Sequence, residues 1–499
     1  MSNAALVERL KIEGEDYEFY PTTNEIIRAL YRHLSSVACH GSEASILDIG
    51  CGNGKVLMSL KQMDSENGGE YRTKIGQRYG IEKSRVLIES LDKDICIIGT
   101  DFREQTLIDK KVDIIFSNPP YSEYLPWCEK IILQSNCSFI YLVIPERWKN
   151  EKVLKEAISR RHGEFKVIGS FDFLNSEDRQ ARAKVDLVFI RVGECTYRRG
   201  SYTDPFEEWF DETFHFETSN NEISDHEQER SKREQLKAII TKENLIHELE
   251  KFYQKDMENL LNNYRAVEQL DAGVLKELGV NVGSLKKGLQ KKIEGLKNAY
   301  WKELFDNLNS ITNRLTSQSR ERMMKKLTQH TVVDFTADNA FAVVIWVLKN
   351  ANHYFDEQLK DVYYLLTQKE NVIPYKSNHR FLKDEWRYSR RPEGFDKYTL
   401  DYRIVVHRYN AIQVENWRSY DYPNGLNRSA HDLIGDIFTI AANLGFSITE
   451  NSFNRTWEAG EAQDFKLTSG ELFASIRAYK NGNVHFKLNQ KFMKKFNIE

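Results

Sequence analysis

The first 200 residues alternate short apolar runs of β type with helical stretches, and this alternation is the strongest constraint on the fold. The last two runs leave no room for a helix between them, so we expect that pair to be antiparallel. The pattern predicts an α/β domain over residues 1–200, built on a seven-stranded sheet whose last strand is antiparallel. The predicted strands are Ser45–Ile49, Arg78–Glu82, Ile95–Gly99, Val112–Ser117, Ser138–Ile144, Phe165–Phe171 and Lys184–Val192.

Length and composition narrow the class of protein further. A chain of 499 residues that is 40% hydrophobic can form several packed domains, so wholesale disorder is excluded. Lys and Arg number 71 against 74 Asp and Glu, which excludes a globally basic nucleic-acid binder but allows a local basic patch. Because the sequence lacks long apolar runs, a signal-peptide core and close cysteine pairs, we expect a cytoplasmic protein without a membrane partner or metal site.

Charge and periodicity change beyond residue 200. Residues 201–220 contain six acidic residues and no basic ones, and we interpret 201–233 as a solvated acidic linker. Apolar residues three or four positions apart from Leu285 to Leu315 predict a long amphipathic helix within a helical region over 234–370. Asp338 is predicted to cap a further helix of this region. Residues 371–499 are mixed and predict an α+β domain with a helix near 430–444 and a final hairpin.

Glycine and polar residues follow the predicted strands at their carboxyl ends. The first strand continues into Gly50-Cys51-Gly52-Asn53-Gly54, where glycines permit positive φ and a close approach of ligand to backbone. A glycine turn of this kind also suits a dinucleotide, but its spacing is not GxGxxG. Glu82 ends the second strand, where a carboxylate can bind both hydroxyls of a ribose. Asp101 and Phe102 end the third, where an acceptor beside a ring suits adenine.

Ser117-Asn118-Pro119-Pro120-Tyr121 follows the fourth strand. Together with the preceding features, this segment resembles class I S-adenosylmethionine-dependent methyltransferases of the Asn-Pro-Pro-Tyr amino type. Phe19-Tyr20-Pro21-Thr22 is similar to the upstream motif that covers the cofactor's methionine end in DNA adenine methyltransferases, and the order of motifs resembles their gamma arrangement.

The resemblance covers about residues 15–195 and implies a Rossmann-like sheet, S-adenosyl-L-methionine as cofactor, and N6-adenine methylation of double-stranded DNA. It implies catalytic roles for Asn118, Pro119, Pro120 and Tyr121. The cofactor-binding residues that it implies are Tyr20, Pro21, Thr22, Asp48, Gly50, Cys51, Gly52, Gly54, Glu82, Asp101, Phe102 and Asn118.

The chemistry of the Asn-Pro-Pro-Tyr segment can be argued from its residue types. An amine conjugated to a ring is a poor nucleophile, because its lone pair is delocalised. The Asn118 side-chain oxygen and the Pro119 carbonyl can accept both amine hydrogens and direct the lone pair at a methyl donor. Consecutive prolines hold these acceptors rigidly, and Tyr121 offers a ring on which a flipped base can stack.

The second half contains two features of interest. Segments between Tyr300 and Thr336, together with the closing hairpin, resemble domain of unknown function 4942 over roughly residues 290–497; this domain accompanies methyltransferase domains in phage and mobile-element proteins. Tyr375 to Tyr422 contains ten Lys or Arg and eleven aromatic residues, a composition that suits either phosphate contact with base stacking or an aromatic core with a basic edge. Target recognition is a candidate role of this region.

The closing hairpin carries an Asn-Gly turn signal at Asn481-Gly482. A three-residue loop over 481–483 gives one apolar face and predicts that Arg477 lies opposite Lys487. The candidate nucleic-acid contacts of the second half are Arg387, Arg390, Arg391, Arg477, Lys480 and Lys487. For the loop of Arg179 to Lys184, nucleic-acid contact and a solvated loop are equally compatible with the sequence.

Three alternatives to a DNA methyltransferase stay open. The Asn-Pro-Pro-Tyr motif serves a glutamine side-chain amide of a protein equally well, and it does not separate an RNA base from a DNA base. A non-catalytic DNA-binding antirestriction factor could also retain such a fold, although the intact motif argues against it.

Overall fold

The computed structural model describes residues 3–37, 43–66, 74–192, 205–214, 245–270, 275, 281–328, 333–351, 354–367, 400, 402–412, 425–449 and 456–498. These residues belong to two compact units. The first contains residues 1–304 and 324–346, and the second contains residues 305–323 and 347–499. The chain therefore leaves the first unit and returns to it.

The strands in chain order are β1 (Glu43–Ile49), β2 (Lys74–Ile81), β3 (Ile95–Gly99), β4 (Ile114–Ser117), β5 (Phe139–Pro145), β6 (Glu164–Asp172), β7 (Lys184–Arg191), β8 (Arg403–His407), β9 (Gln463–Lys466), β10 (Leu472–Ala478) and β11 (Asn483–Leu488). The α-helices are Asn3–Ile12, Asn24–Val37, Lys55–Glu66, Arg85–Ser90, Tyr124–Gln134, Lys152–Arg160, Pro205–Thr213, Leu245–Glu268, Val282–Asn307, Asn309–Thr312, Ser317–Thr328, Ala337–Ala351, Phe355–Thr367, Arg428–Asn443 and Gln490–Phe496. In the described residues, no helix is long and apolar enough to cross a membrane.

The first unit is built on a seven-stranded sheet in the order β3-β2-β1-β4-β5-β7-β6. The first five strands are parallel, and β7 is antiparallel to both β5 and β6. The predicted α/β class and the antiparallel last strand are confirmed. Strand order reverses beside β1, since Ile49 pairs with Ile81 of β2 on one side and with Ser117 of β4 on the other. Ligands of open α/β sheets bind at such a switch point.

Part of the predicted acidic linker is a packed helix rather than a solvated segment. Within Pro205–Thr213, Phe206 and Phe210 are buried, and they form an apolar cluster with Tyr264 and Leu289. The spacing of the phenylalanines drives this packing, while acidic side chains face outward, where Glu208 receives a 2.6 Å hydrogen bond from Arg160 Nε.

A buried ionic group joins the helical region to the sheet domain within the first unit. Asp334 accepts hydrogen bonds from Lys110 Nζ at 2.9 Å and from Lys297 Nζ at 2.6 Å, and Lys297 also pairs with Asp109. Lys110 is fully buried and Lys297 is 3% exposed. The two lysine charges lower the pKa of Asp334 although burial opposes the shift. This carboxylate is therefore ionised and balances two buried cations.

Asn339 extends this contact to the loop after β3. Its Oδ1 accepts hydrogen bonds from Thr100 N at 2.8 Å and Thr100 Oγ1 at 3.0 Å, and its Nδ2 donates to the Asp334 carbonyl at 2.9 Å. The Thr336 hydroxyl accepts from Asn339 N at 3.3 Å at the start of the helix Ala337–Ala351. Thr336, and not the predicted Asp338, is therefore the capping residue; Asp338 lies in the first turn.

The second unit contains a four-stranded antiparallel sheet in the order β8-β11-β10-β9. Its inward residues, such as Ile404, Phe465, Ile476 and Phe486, form one apolar core with helix Arg428–Asn443. That helix and the final hairpin agree with the predicted elements of this region.

The predicted register of the hairpin is wrong by two residues on one strand. Arg477 lies opposite His485 and Ser475 lies opposite Lys487, so Arg477 and Lys487 do not face each other. The loop has three residues as expected, but it spans 480–482, because Tyr479 N donates to the Asn483 carbonyl at 2.9 Å. A shift by two residues keeps every side chain on its own face, and the apolar pattern cannot detect it.

Candidate active site

The carboxyl ends of the parallel strands surround a cavity of about 230 Å³ in the first unit. Every cofactor-binding residue expected from the resemblance lines it except Gly54, and of the Asn-Pro-Pro-Tyr segment only Asn118 and Pro120 reach it. Residues 16–22, upstream of the sheet, form part of its wall. The switch point of the sheet and the predicted site therefore coincide.

The glycine loop after β1 depends on left-handed backbone at Gly52, where φ is 57°. A Cβ atom at this position would lie 2.6 Å from the ring of Phe19, so the loop can lie against the upstream motif only with glycine here. Gly50 also has a positive φ of 75° and lies beside the Trp127 ring. The loop thus exposes backbone to the cavity.

Glu82 sits beside this loop at the end of β2. Its Oε2 accepts a hydrogen bond from Gly52 N at 2.8 Å, and its Oε1 accepts one from Ser84 N at 2.8 Å. Each oxygen retains a second acceptor position, as binding of two ribose hydroxyls requires. Burial raises the pKa of Glu82 to about 7, while these backbone hydrogen bonds oppose the shift.

Asp48 is the most deeply buried carboxylate at the cavity, at 1% exposure. Its Oδ1 has no hydrogen-bond partner within the described part of the chain. Burial and then the charge of Glu82 raise the pKa of Asp48. A cationic or hydrogen-donating ligand would satisfy this oxygen. Cys51 is buried and its sulfur lies close to the Gly80 backbone, so it packs as a small residue, as its place in the glycine loop suggests.

Asp101 and Phe102 occupy the cavity edge after β3. Asp101 accepts a hydrogen bond from Lys83 Nζ at 2.7 Å; burial would raise the pKa of Asp101, but this contact lowers it. The rings of Phe102 and Trp127 are 4.7 Å apart at their centroids. An ionised acceptor beside aromatic rings fits an adenine.

Lys83 and Trp127 line the cavity but were not among the site residues predicted from the sequence. Lys83 directly follows Glu82, and its role depends on the neighbouring strand, which the sequence alone does not place. Trp127 lies in the first turn of the helix Tyr124–Gln134, so a search for rings one turn beyond the Asn-Pro-Pro-Tyr segment would have found it.

Asn118 has a fixed amide orientation. Its Nδ2 donates to the Tyr20 carbonyl at 3.0 Å and to Thr22 Oγ1 at 3.3 Å. Its Oδ1 is buried and accepts no hydrogen bond in the described residues. The Pro119 carbonyl likewise has no partner among them. Asn118 Oδ1 is therefore a fixed acceptor on the cavity wall, whereas Pro119 is buried and does not line the cavity.

Tyr121 follows Pro120 in the chain and contacts Phe173 edge to face, with ring centroids 6.1 Å apart. Its hydroxyl is buried without a partner in the described part of the chain, and burial raises the pKa of Tyr121, so the phenol stays protonated. Its backbone carbonyl accepts a 3.0 Å hydrogen bond from Arg147 Nη2. The ring is thus held by both its side chain and its backbone.

Arg179, in the loop between β6 and β7, braces the upstream motif. Its guanidinium forms a two-pronged pair with Asp16 at 2.5 and 2.9 Å, donates to the Phe19 carbonyl at 2.7 Å, and lies 4.2 Å from the centre of the Tyr20 ring. Its side chain is 18% exposed. Of the two alternatives for this loop, neither describes Arg179, which turns inward; Arg182 and Lys184 are exposed.

Lys55 forms a second connection between the same two segments. Its Nζ donates to Asp178 Oδ2 and to the Thr22 carbonyl, both at 2.8 Å. The hydroxyl that orients Asn118 and the carbonyl that receives Lys55 belong to one residue, Thr22. The cavity wall and Asn118 are therefore joined by hydrogen bonds through Thr22.

Three of the six predicted nucleic-acid contacts of the second half lie within the described residues. Arg387, Arg390 and Arg391 lie outside the described residues, as does most of the basic aromatic stretch. Arg477 and Lys487 are exposed on one face of the four-stranded sheet, and Lys480 lies in the hairpin loop. In the described residues, no group of three or more His, Cys, Asp or Glu side chains could hold a metal ion.

Two family models match this chain, one in each half. Residues 27–137 match the family model of the methyltransferase small domain, and residues 293–498 match that of a domain of unknown function, DUF4942. Residues 27–137 thus carry a methyltransferase domain. Its cofactor, S-adenosylmethionine, fits the Glu82 carboxylate, the rings near Asp101 and the Asp48 Oδ1 that has no partner in the described residues. The second match confirms the C-terminal domain expected from the sequence. No curated protein matches the chain.

Solved structures share the fold at low identity. The 23S rRNA methyltransferase ErmE is 11% identical, with 39% of this chain and 76% of that chain covered and a TM-score of 0.29. The E. cuniculi Mtq2–Trm112 complex, which methylates the termination factor eRF1, is 15% identical, with 35% and 98% covered and a TM-score of 0.26. A dimethyladenosine transferase from Plasmodium falciparum is 10% identical, with 53% and 99% covered and a TM-score of 0.27. Such similarities carry no argument about the substrate.

Proposed function

We propose that this protein transfers the methyl group of S-adenosylmethionine to the N6 amine of adenine in double-stranded DNA. The observation that carries the proposal is Asn118: its Nδ2 is committed to the Tyr20 carbonyl and Thr22, and its buried Oδ1 is left for an external donor. An exocyclic amine of a base supplies such a donor.

The residues of this chain have defined tasks in the reaction. The cofactor supplies an electrophilic methyl group on a sulfonium. Asn118 Oδ1 and the Pro119 carbonyl accept the two amine hydrogens, which localises the nitrogen lone pair and aims it along the line of transfer. Tyr121 provides a ring against which the extruded base stacks. No strong general base is needed, because the amine proton becomes acidic after methyl transfer.

The substrate is tested by nucleoside analysis after unmethylated plasmid DNA, RNA and protein are incubated with the enzyme and labelled S-adenosylmethionine. We expect the label in N6-methyldeoxyadenosine. Label in ribo-N6-methyladenosine would assign an RNA base, and label in protein would assign a side-chain amide; either result would overturn the DNA assignment. Cofactor binding without transfer to any of these substrates would support a non-catalytic DNA-binding factor.

Replacing Asn118 by Ala tests the catalytic assignment. We expect methyl transfer to fall by about 10²-fold or more, the scale for loss of one preorganised polar group. The affinity for S-adenosylmethionine should change little, because the remaining cavity wall keeps its contacts. The exposed Asn175→Ala serves as a matched control for an asparagine outside the cavity. Normal transfer by the Asn118 variant would show that its amide does not align the amine.

A further inference from the structure

One face of the sheet of the second unit forms the core, and the other face is exposed at Arg403, Lys487 and Arg477 but buried at Val405, opposite His485. Inward residues alternate with outward ones along each strand, and the outward residues form rows across the sheet. One row runs Arg403, Lys487, Ser475 and Asp464 over β8, β11, β10 and β9. In the next row, Arg477 lies opposite His485.

Three cations are adjacent on this face. Arg403 and Lys487 are directly opposite each other and both exposed, and Arg477 is diagonal to Lys487. Directly opposite residues have Cβ atoms about 5 Å apart, and like charges at this separation destabilise a sheet. The cation that lies opposite Lys487 is thus Arg403, and not Arg477 as the predicted register required.

Among the described residues, no carboxylate lies directly opposite any of these cations on the sheet. Lys487 faces Ser475 on its other side, and Asp464 lies one strand further away, opposite Ser475. Within the described residues, no ion pair involves any of the three cations. Burial and then the charge of Arg477 lower the pKa of His485, so this histidine adds no positive charge to the face at pH 7.

We propose that this face, centred on Arg403, Lys487 and Arg477, binds the phosphate backbone of double-stranded DNA. The proposal rests on the proposed function, which makes the polyanion a DNA duplex. Phosphates between the opposed cations would relieve their repulsion. A sheet face with charged residues and no base-reading pocket gives contacts that position a duplex without selecting its sequence.

The test uses the full chain and equilibrium binding of duplex DNA over a range of salt concentrations. The variant Arg403→Gln/Lys487→Gln removes two cations from the face. We expect weaker binding to all sequences alike and a slope of log affinity against log salt that is shallower by about two phosphate contacts, each worth about 0.9. The affinity for S-adenosylmethionine should be unchanged. Lys487→Gln alone should remove about one contact, which keeps the test valid if the double variant folds poorly.

The matched control is Lys360→Gln/Lys494→Gln, which removes the same charge from exposed helix positions of the same unit. An unchanged slope in the sheet variant, an equal change in the control, or preferential binding of RNA would overturn the proposal. Nucleoside analysis tests the reaction separately from the binding face. If no N6-methyldeoxyadenosine forms but the sheet variant still lowers the salt slope, the proposed reaction is rejected and the phosphate-binding face is retained.

Discussion

At the scale of single residues, the orientation of Asn118 depends on groups far away in the chain. The Tyr20 carbonyl that receives its Nδ2 belongs to a segment that Arg179 holds through Asp16 and the Phe19 carbonyl. Arg179 reaches no cavity wall itself, so it acts as a positioning residue. The orientation of the Asn118 side-chain oxygen therefore depends on Arg179, which acts through Asp16 and the Phe19 carbonyl.

Replacing Arg179 by Gln should lower kcat by about ten- to a hundredfold, because small displacements of a positioned group have effects of this order. The affinity for S-adenosylmethionine should weaken less. Steady-state kinetics and direct cofactor binding separate the two effects. Arg182→Gln, an exposed cation of the same loop, should behave like the parent protein. Parental kcat in the Arg179 variant would disprove the bracing role.

Glu82 should make stability depend on pH. Its pKa is about 7 in the folded protein against a usual 4.5, so between these values the folded state binds more protons than the unfolded state. The free energy of unfolding should accordingly fall as pH rises from about 4.5 to 7, by about 3 kcal/mol from this group. Asp48 shifts in the same direction. The free energy of unfolding, measured with urea at several pH values across this range, should change less with pH in Glu82→Gln than in the parent protein. Glu104→Gln, an exposed control, should show the parental pH dependence. The parental pH dependence in both variants would contradict the assignment.

At the scale of elements, the sequence placed all seven strands of the first sheet to within a few residues, because buried strands in a parallel sheet read as short apolar runs. The cavity could also be predicted, since the carboxyl ends of parallel strands meet at one edge. The hairpin register could not. Two placements of a three-residue loop leave Ile476 and Phe486 on the same face, so only the turn itself decides between them.

Gly482 determines which three residues form the hairpin loop, because its φ of 88° is in the left-handed region that glycine favours. A Cβ there would lie 2.7 Å from the Arg408 carbonyl, whereas one at Gly470, with φ of 83°, would meet nothing within 4 Å. Gly482→Ala should destabilise the second unit by about 1–3 kcal/mol, the usual cost of left-handed strain, with a further loss from this clash. Gly470→Ala carries the strain alone. Thermal unfolding should rank Gly482→Ala below Gly470→Ala; equal stability would show that the neighbouring carbonyl moves away at little cost.

At the scale of the whole molecule, the first unit is assembled from parts of the chain that the sequence assigns to different regions. Apolar periodicity predicted the helices of 234–370 but not which surface they cover, because amphipathic helices specify a buried face and no partner. The sequence indicated no structural role for Asp334, which lies in a segment that resembles domain of unknown function 4942. Its contacts with Lys110 and Lys297 are recognisable only after the fold brings them together.

Asp334→Asn should destabilise the first unit strongly, because it leaves Lys110 and Lys297 with Asp109 as their one carboxylate among the described residues. Removing one partner from a buried pair costs about 3–5 kcal/mol. Asp338→Asn, whose side chain is 61% exposed and 3.8 Å from Arg85, should cost less than about 1 kcal/mol. Urea unfolding of both variants checks the difference. Equal stabilities would show that water or a neighbouring group compensates for the missing charge.

The contact between Lys110 and Asp334 also sets a delay during protein synthesis. The two residues are 224 positions apart, and a ribosome adds about 5–20 residues per second, so Asp334 is made roughly 10 to 45 seconds after Lys110. During this interval the strands can pair, but the Lys110 ammonium group, which is fully buried in the folded protein, lacks the Asp334 carboxylate as its counter-ion. The first unit is complete only after residues 333–346 have left the ribosome, and nascent chains shorter than this should be the ones that engage chaperones.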